Sequence, residues 1–593
     1  MNKHKHALLC LVLGLVVSVG LWPQSESARP RLEPTALIKE LAPQKEPLPL
    51  QALVHTALVF SGSADDRLPA LQDDFFTIIN QVKAYFKGRG VSPQLGDDLL
   101  QYIHQKYLRT YNVAQTRLDV LLSTGEFNCV SSAVFYLILS RSLGFTVFGV
   151  KTTDHAFCTL EIGDEFYDVE TTSVYGFNPG EKKEFTDHFG KITGYAYVPP
   201  GNYSRRETIG EKELLFLILH NRVVLLLGKN KYAEAVPLAV DGYGLLKNDF
   251  SKTLLVQTLT RFAAGAGTAA QMETAADTLE QATVLYPQIE KIKTLLGKLT
   301  IQWIVSVIEH KDFAAARQRI NLQHDSGVLG DADYRKLLVY FYQKKAEDAA
   351  SRRGNEFAVR IIDEGLGYFA GDAGLLKSKK LYTYNFVIEL IKNNNPRRAI
   401  ELLGTDGTRP LFTDRVYDEL VTFAYQKEAQ IIFSGNGLAA ALQVVTEGMA
   451  LLHDKTLLKK IGEMYLFNHV KDLIKRREFS RARQALDGED SSLFLSAKSR
   501  KDLLLYFYAT KAEWLSQTAG YARAAVCIEE GMRLVGKHSS LVNNYQVYIH
   551  NHVVELSGRG RYKEALTLLN HALVVLPGNR LFKKDKAAVQ NSR

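Results

Sequence analysis

Arg561-Tyr562-Lys563-Glu564-Ala565-Leu566, close to the end of the 593-residue chain, reads almost as a second copy of Lys231-Tyr232-Ala233-Glu234-Ala235-Val236. Glu478-Phe479-Ser480-Arg481-Ala482 and Gly520-Tyr521-Ala522-Arg523-Ala524 share the frame, an aromatic residue three before an alanine. With that alanine as a marker, Ala235, Ala276, Ala316, Ala358, Ala399, Ala441, Ala482, Ala524 and Ala565 advance by 40 to 42 residues per step. The aromatic position holds Tyr232, Phe313, Phe479, Tyr521 and Tyr562; Pro396 and Leu438 are less typical, and Glu273 and Asn355 depart from it. A period this even over nine units, with helical spacing and few strand signals, predicts stacked helical hairpins. The small residue sits where two helices approach and the aromatic fills the groove beside it. Such units bury their apolar faces on their neighbours, which makes an all-α solenoid over residues 208–593.

Upstream the pattern differs. Asp65-Asp66 opens an amphipathic helix with Leu68, Leu71, Phe75, Ile78, Ile79, Val82 and Phe86, and Ser92-Pro93 starts a second with Leu99, Leu100, Ile103 and Tyr107. Gly125-Glu126-Phe127-Asn128-Cys129-Val130-Ser131-Ser132 then leads into an almost wholly apolar run stopped by Gly144, the signature of a buried helix with Cys129 at its N-terminus. There, unpaired N–H groups and the helix dipole favour an anion, and a thiol can fall from about 8.5 to between about 3.5 and 7.5. Thr146–Val150 is β-prone. Ala156–Ile162, the turn Gly163-Asp164 and the returning strand Glu165–Glu170 form an antiparallel hairpin. Glycines and prolines close this α+β segment near residue 207.

A chain of this length exceeds one core and implies two to four domains. The first is a targeting segment, residues 1–28: Lys3 and Lys5, then an uncharged apolar block from Ala7 to Trp22, read as a signal peptide or an N-terminal membrane anchor. Residues 29–51, rich in Pro, Glu and Lys, read as an extended tether, and 52–207 as the α+β domain. The expected location is the bacterial periplasm or cell envelope. Of Cys10, Cys129, Cys158 and Cys527, processing would keep three, an odd number that points to a free thiol; a Cys129–Cys158 disulfide is the rival. The net charge of +9, from 73 Lys+Arg and 64 Asp+Glu, is a small excess. Lys475-Arg476-Arg477 and Arg397-Arg398 lack interleaved aromatics and read as solvated helix faces, so no nucleic-acid partner is expected. No Cys or His pair has zinc spacing, and no phosphate-binding glycine loop or Gly-x-Ser-x-Gly occurs, so neither metal nor cofactor is expected. His104, His188, His550 and His552 read as structural.

A nucleophilic thiolate needs a base, and the base an orienting partner. His155 enters the first strand of the hairpin, while Asp168 and Glu170, two apart on the second, share a face, so either carboxylate could reach the imidazole. Residues from about Leu118 to Tyr175 resemble the transglutaminase-like cysteine protease superfamily, on Gly125–Cys129, Leu143-Gly144-Phe145, Asp154-His155-Ala156-Phe157 and Phe166–Thr172. The resemblance implies a papain-like core and acyl transfer through a thioester, with Cys129 as nucleophile, His155 as base and Glu170, at the position of the family's aspartate, as third member; Asp168 is the fallback. Phe157 stands where the family usually has tryptophan, and Val169-Glu170-Thr171-Thr172 where it reads Val-Asp-Pro-Thr. The repeats resemble the tetratricopeptide family, most closely at Gly558, Gly560, Tyr562, Ala565-Leu566, Ala572-Leu573 and Pro577, with a period longer than that family's usual 34. The expectation is an exported cysteine-dependent acyl hydrolase or transferase acting on a protein or peptide, with a solenoid that binds a protein partner. The alternative is a non-catalytic envelope scaffold with a degenerate cysteine domain.

Overall fold

Residues 29–180, 182–193 and 206–592 are described by the structure, a computed structural model. The expected signal peptide or anchor lies outside the described residues. The chain divides into two compact units between Phe341 and Tyr342.

The first unit begins with α1 (Ala36–Leu41), α2 (Leu50–Ser61), α3 (Leu68–Tyr85) and α4 (Pro93–Lys106). Ser92 caps α4 by accepting from the Leu95 N–H at 3.3 Å, with Pro93 in the first turn where no N–H is needed. After α5 (Leu118–Thr124) comes α6 (Cys129–Ser142), buried from Val130 to Ser140 because it lies between the sheet and helices α2, α3, α4 and α8 (Glu211–Gly228). The short strands β1 (Thr110–Tyr111) and β2 (Glu126–Phe127) pair in parallel. β3 (Thr146–Lys151), β4 (Ala156–Ile162), β5 (Glu165–Val169) and β6 (Glu207–Ile209) form one antiparallel sheet in the order β5-β4-β3-β6. Strands among the described residues are confined to these two small sheets, and α7 (Lys183–Thr193) follows β5.

Residues 29–51 are not the extended tether that their composition predicts. Leu32, Ile38, Leu41 and Leu48 are buried, Arg31 pairs with Asp241 at 2.6 Å, and the Tyr286 hydroxyl donates to the Leu32 carbonyl at 2.5 Å. Four apolar side chains spaced through a Pro-rich stretch are enough to dock it on the first helices of the repeats. For the same reason the break in packing falls at Phe341/Tyr342 and not near residue 207: α8 contacts α2, α6 and β3, and α1 contacts α9 (Tyr232–Leu246).

From α8 onward every element is helical. In the first unit α8 and α9 form one hairpin, α10 (Asp249–Ala264) and α11 (Ala269–Leu285) the next, then α12 (Glu290–Glu309) and α13 (Phe313–Asp325); α14 (Asp331–Arg353) contains the division. In the second unit follow α15 (Asn355–Tyr368), α16 (Ala373–Lys392), α17 (Pro396–Leu403), α18 (Asp414–Leu451), α19 (Thr456–Lys475), α20 (Phe479–Asp487), α21 (Glu489–Phe494), α22 (Ala497–Thr518), α23 (Tyr521–Val535), α24 (Ser539–Gly558), α25 (Tyr562–Val575) and a closing α26 (Arg580–Asn591). By length and composition alone α18 would pass for a membrane span, but it breaks at Gly437 (φ 83°, ψ −173°), and a Cβ on Gly448 would touch the Tyr425 ring at 2.6 Å. The two halves are therefore a hairpin. All nine marker alanines are buried.

From α12 onward the hairpins alternate between two turns, which the single marker did not show. In one class the turn carries a left-handed residue, namely Asn230, Lys311, Asn394, Arg477 or Gly560. In the other, Gly354, Gly437 or Gly520, at φ 83–93°, directly precedes the second helix. The glycines stand 83 residues apart, and so do Tyr342, Tyr425 and Tyr508, each packed on a small partner at Gly365, Gly448 and Gly531. The structural repeat is thus a pair of hairpins. The atypical Asn355 and Leu438 belong to the second class, where tyrosine on glycine makes the close contact; Glu273 lies in α11, which is capped instead by Thr268 at φ −116°.

Gly365 and Gly367 lie on the same helix, but a Cβ on Gly365 would come within 2.9 Å of the Tyr342 ring while one on Gly367 would meet nothing within 4 Å. Gly365→Ala should therefore lower stability by about 1–3 kcal/mol through overpacking, and Gly367→Ala should raise it by up to about 1 kcal/mol through helix propensity. Urea unfolding followed by circular dichroism separates the two; equal effects would remove the tyrosine–glycine contact from the account.

Candidate active site

Asn128 caps α6. Its Oδ1 accepts from the N–H groups of Val130 (3.1 Å) and Ser131 (3.0 Å), and Ser131 Oγ accepts from the Asn128 N–H at 2.9 Å. The cap takes the N–H groups of Val130 and Ser131 and not that of Cys129. Cys129 is half-buried at the first position of the helix, where the dipole favours a negative sulfur.

His155 stands at the entrance to β4, after a turn closed by the Thr152 N–H on its own carbonyl at 2.9 Å. Its Nε2 donates to Glu170 Oε2 at 2.6 Å, and the Cys129 thiol is within hydrogen-bonding contact of the same ring. Occupation of Nε2 by the carboxylate leaves Nδ1 for the sulfur. Phe189 of α7 packs edge-on against the imidazole at 5.6 Å. Burial on its own would lower the His155 pKa, but the facing Glu170 and Cys129 outweigh it and hold the ring well above its ordinary 6.5.

Glu170 is almost wholly buried and follows β5, which ends at Val169, one residue short of the expected strand. Its Oε1 accepts from Thr172 Oγ1 at 2.8 Å and from the Thr172 N–H at 3.3 Å. Residues 170–176 fold back tightly, the Glu170 N–H donating to the Gly176 carbonyl at 2.8 Å; a Cβ on Gly176 would strike the Glu170 carbonyl at 1.9 Å. The next residue, Thr171, shares a hydrogen bond with Ser132 of α6 (2.8 Å), and its carbonyl accepts from His104 Nε2 (3.1 Å). Burial pushes His104 down to about 4, so it is a neutral donor there. Sequence reasoning missed Ser132, Thr171, Thr172 and His104 as the supports of Glu170; the doubled threonine after the acid was the available signal.

Asp168, the fallback acid, lies elsewhere. Arg206 grips both of its oxygens, at 2.6 and 2.5 Å, and stacks over Phe157. The two carboxylates do share a strand parity, but one is neutralised by a cation and the other by the imidazole. The rival disulfide is not formed: Cys129, Cys158 and Cys527 are free thiols, and Cys158 Sγ donates to the Ala133 carbonyl at 3.3 Å. Burial pushes Cys158 far up and Cys527 to about 11.

Cys129 and His155 open on a cleft of about 370 Å³ whose walls include Val113, Asn128, Thr152 and, from the repeats, Leu217, Asn221 and Val224 of α8. A larger groove of about 960 Å³, lined by Tyr85, Tyr102, His104 and His188, reaches neither Cys129 nor His155. Among the described residues no group of His, Cys, Asp or Glu has the arrangement of a metal site.

No family model matches the chain, and no curated protein matches it. Among solved structures, the TPR domain of P58(IPK) aligns at 13% identity with a TM-score of 0.14, covering 64% of this chain and 98% of that one. At that score the likeness carries no argument; the helical-hairpin repeats rest on the helices and turns of this chain.

Proposed function

We propose that the protein is a cysteine-dependent acyl hydrolase or transferase whose repeat array binds a protein partner. One observation carries this reading: a helix-start thiol in contact with an imidazole that a buried carboxylate orients at 2.6 Å. In the proposed step the Cys129 sulfur bonds to an amide carbonyl carbon while the Cys129 N–H supports the developing oxyanion. The C–N bond then breaks, and the proton held on His155 passes to the leaving amine. Water, or a second amine, gives its proton to His155 as it attacks the thioester, which frees the sulfur. The transglutaminase-like resemblance and its papain-like core belong to this proposal. So does a site of action in the periplasm or envelope, which rests on Lys3, Lys5 and the apolar block after them.

A second reading, a non-catalytic scaffold, draws on the repeats. Hairpin arrays present extended surfaces to other proteins, and Tyr368, Phe423, Val526, Val554 and Val574 leave large apolar side chains exposed on the second unit. Thiol reactivity discriminates. Cys129 should alkylate with iodoacetamide at pH 6 at least about tenfold faster than Cys158 or Cys527, as a thiolate held by an imidazolium would, and His155→Ala should abolish the difference. Peptide mapping by mass spectrometry reads it out, and three equally slow thiols would favour the scaffold.

The second check is the imidazole itself. Because its folded pKa lies above the unfolded value near 6.5, the protonated ring stabilises the fold fully below pH 6.5, and this contribution fades as pH rises through the folded pKa. Glu170→Gln removes the leading influence that raises it, so burial should pull the pKa down; Asp168→Asn should leave it in place. NMR titration of histidine-labelled protein measures both, and an unchanged midpoint in the Glu170 variant would remove that residue from the site.

A further inference from the structure

The cleft at Cys129 has a wall that the α+β segment does not supply. α8 is the first helix of the repeats and is buried on every side from Leu214 to Leu219, with Leu217 of that stretch reaching the edge of the cleft, and again at Val223. The next residue, Val224, is 51% exposed, and it lines the cleft with Leu217, Leu225 and Phe250, opposite Cys129 and His155. Docking onto a neighbouring helix does not account for this valine. It faces the space in front of the thiol.

The charged groups beside that wall are already committed. Lys151 Nζ pairs with Glu207 at 2.9 Å and with Glu213, and sits 4.7 Å over the Phe250 ring. His220 lies against Phe250 and Phe216, and burial lowers its pKa, so it presents a neutral ring. Asp154 stands exposed at the rim. An anionic side chain entering the cleft would meet no free cation from the wall, and a cationic one would lose water against valine and leucine. Cavities of about 150 Å³ admit a benzene-sized ring, so about 370 Å³ holds one such group together with the amide beside it.

We infer that α8 selects the acyl donor: the substrate is a peptide or amide whose acyl part carries a neutral, apolar side chain, seated on Leu217, Val224, Leu225 and Phe250 while its carbonyl faces Cys129. This inference rests on the acyl-transfer reading and names its substrate class. It also gives the first repeat a role in the chemistry, as part of the substrate site.

The test uses the full chain and three alkylating probes: iodoacetamide, the anionic iodoacetate and the apolar N-benzyl iodoacetamide. In each reaction the Cys129 sulfur displaces iodide. The rate ratio of the benzyl reagent to iodoacetamide at Cys129, divided by the same ratio for glutathione, should be about tenfold, the effect of burying part of an aromatic ring. Iodoacetate should show no such gain. Val224→Asp should bring the ratio close to that of glutathione, and Val224→Ala should lower it less; circular dichroism verifies the helices of both. A wild-type ratio equal to that of glutathione overturns the apolar wall even if Cys129 reacts fast at pH 6. A slow Cys129 that keeps the benzyl preference overturns the acyl-transfer reading and leaves an apolar binding cleft, so the two failures are distinct. A ratio unmoved by Val224→Asp overturns the assignment to α8.

Discussion

Within the first unit, one buried carboxylate fixes the thiol's helix against the start of the repeats. Glu211, at the beginning of α8, accepts from the Leu48 N–H at 2.6 Å and pairs with Arg141, in the last turn of α6, at 2.8 Å. Burial pushes its pKa up while those two partners hold the charge. The N–H groups of Glu211 and Lys212 are in turn taken by Glu46, which reaches them because a Cβ on Gly210 would lie 1.9 Å from its oxygen. Loss of one partner from such a buried pair costs about 3–5 kcal/mol, because the remaining charge has no water. The docking of residues 29–51, the end of α6 and the start of α8 are therefore a single event, and the cleft at the other end of α6 inherits its shape from it.

The site shows how one strand presents two acids with different fates. Asp168 sits beside Arg206, whose planar fork satisfies both oxygens, so it has nothing left to offer an imidazole. Glu170, two residues on and buried, has a hydroxyl and an N–H from Thr172 on one oxygen and His155 on the other. The longer side chain matters. It starts beyond the end of β5, in the tight return to Gly176, and has the reach to meet a ring at the entrance of β4. Thr171, fixed between Ser132 and His104, holds that return against α6, so the acid and the thiol are positioned by the same helix.

The sequence made the helical repeat legible because a small residue must recur wherever two helices come close, and the alanine marker found it nine times. Its alternation was hidden because a single marker cannot see two turn types. Lys311 and Arg477 occupy left-handed positions that carry no glycine signature, and the tyrosine–glycine contacts join residues 23 apart in the chain. Cys129, His155 and a carboxylate of the returning strand, Asp168 or Glu170, could be named from order and spacing, since they lie at or near element ends that local patterns predict. The choice between Glu170 and Asp168 could not, because it turns on Arg206, beyond α7 in the chain. The docking of residues 29–51 was illegible for a related reason: Pro, Glu and Lys dominate the composition, while four leucines and isoleucines decide the packing.

The three thiols among the described residues show how far environment, not residue type, sets reactivity. Cys158 faces α6 from β4 and donates to a carbonyl in a fully buried place, where a thiolate would lose all solvation. Cys527, inside α23, is raised to about 11 chiefly by burial, with Lys511 opposing and Glu530 adding to it. Neither can compete as a nucleophile or readily pair as a disulfide. Cys129 differs in each respect that matters: it is reachable from a cleft, stands at a helix start and touches an imidazole whose charge Glu170 supports. A purely structural cysteine at the first position of a capped helix would need none of the Glu170 framework, since Asn128 and Ser131 already complete the cap. The buried acid holds the return through Thr172 and also meets an imidazole whose protonated form it favours, and that pairing, more than the presence of a thiol, is what the proposed chemistry rests on.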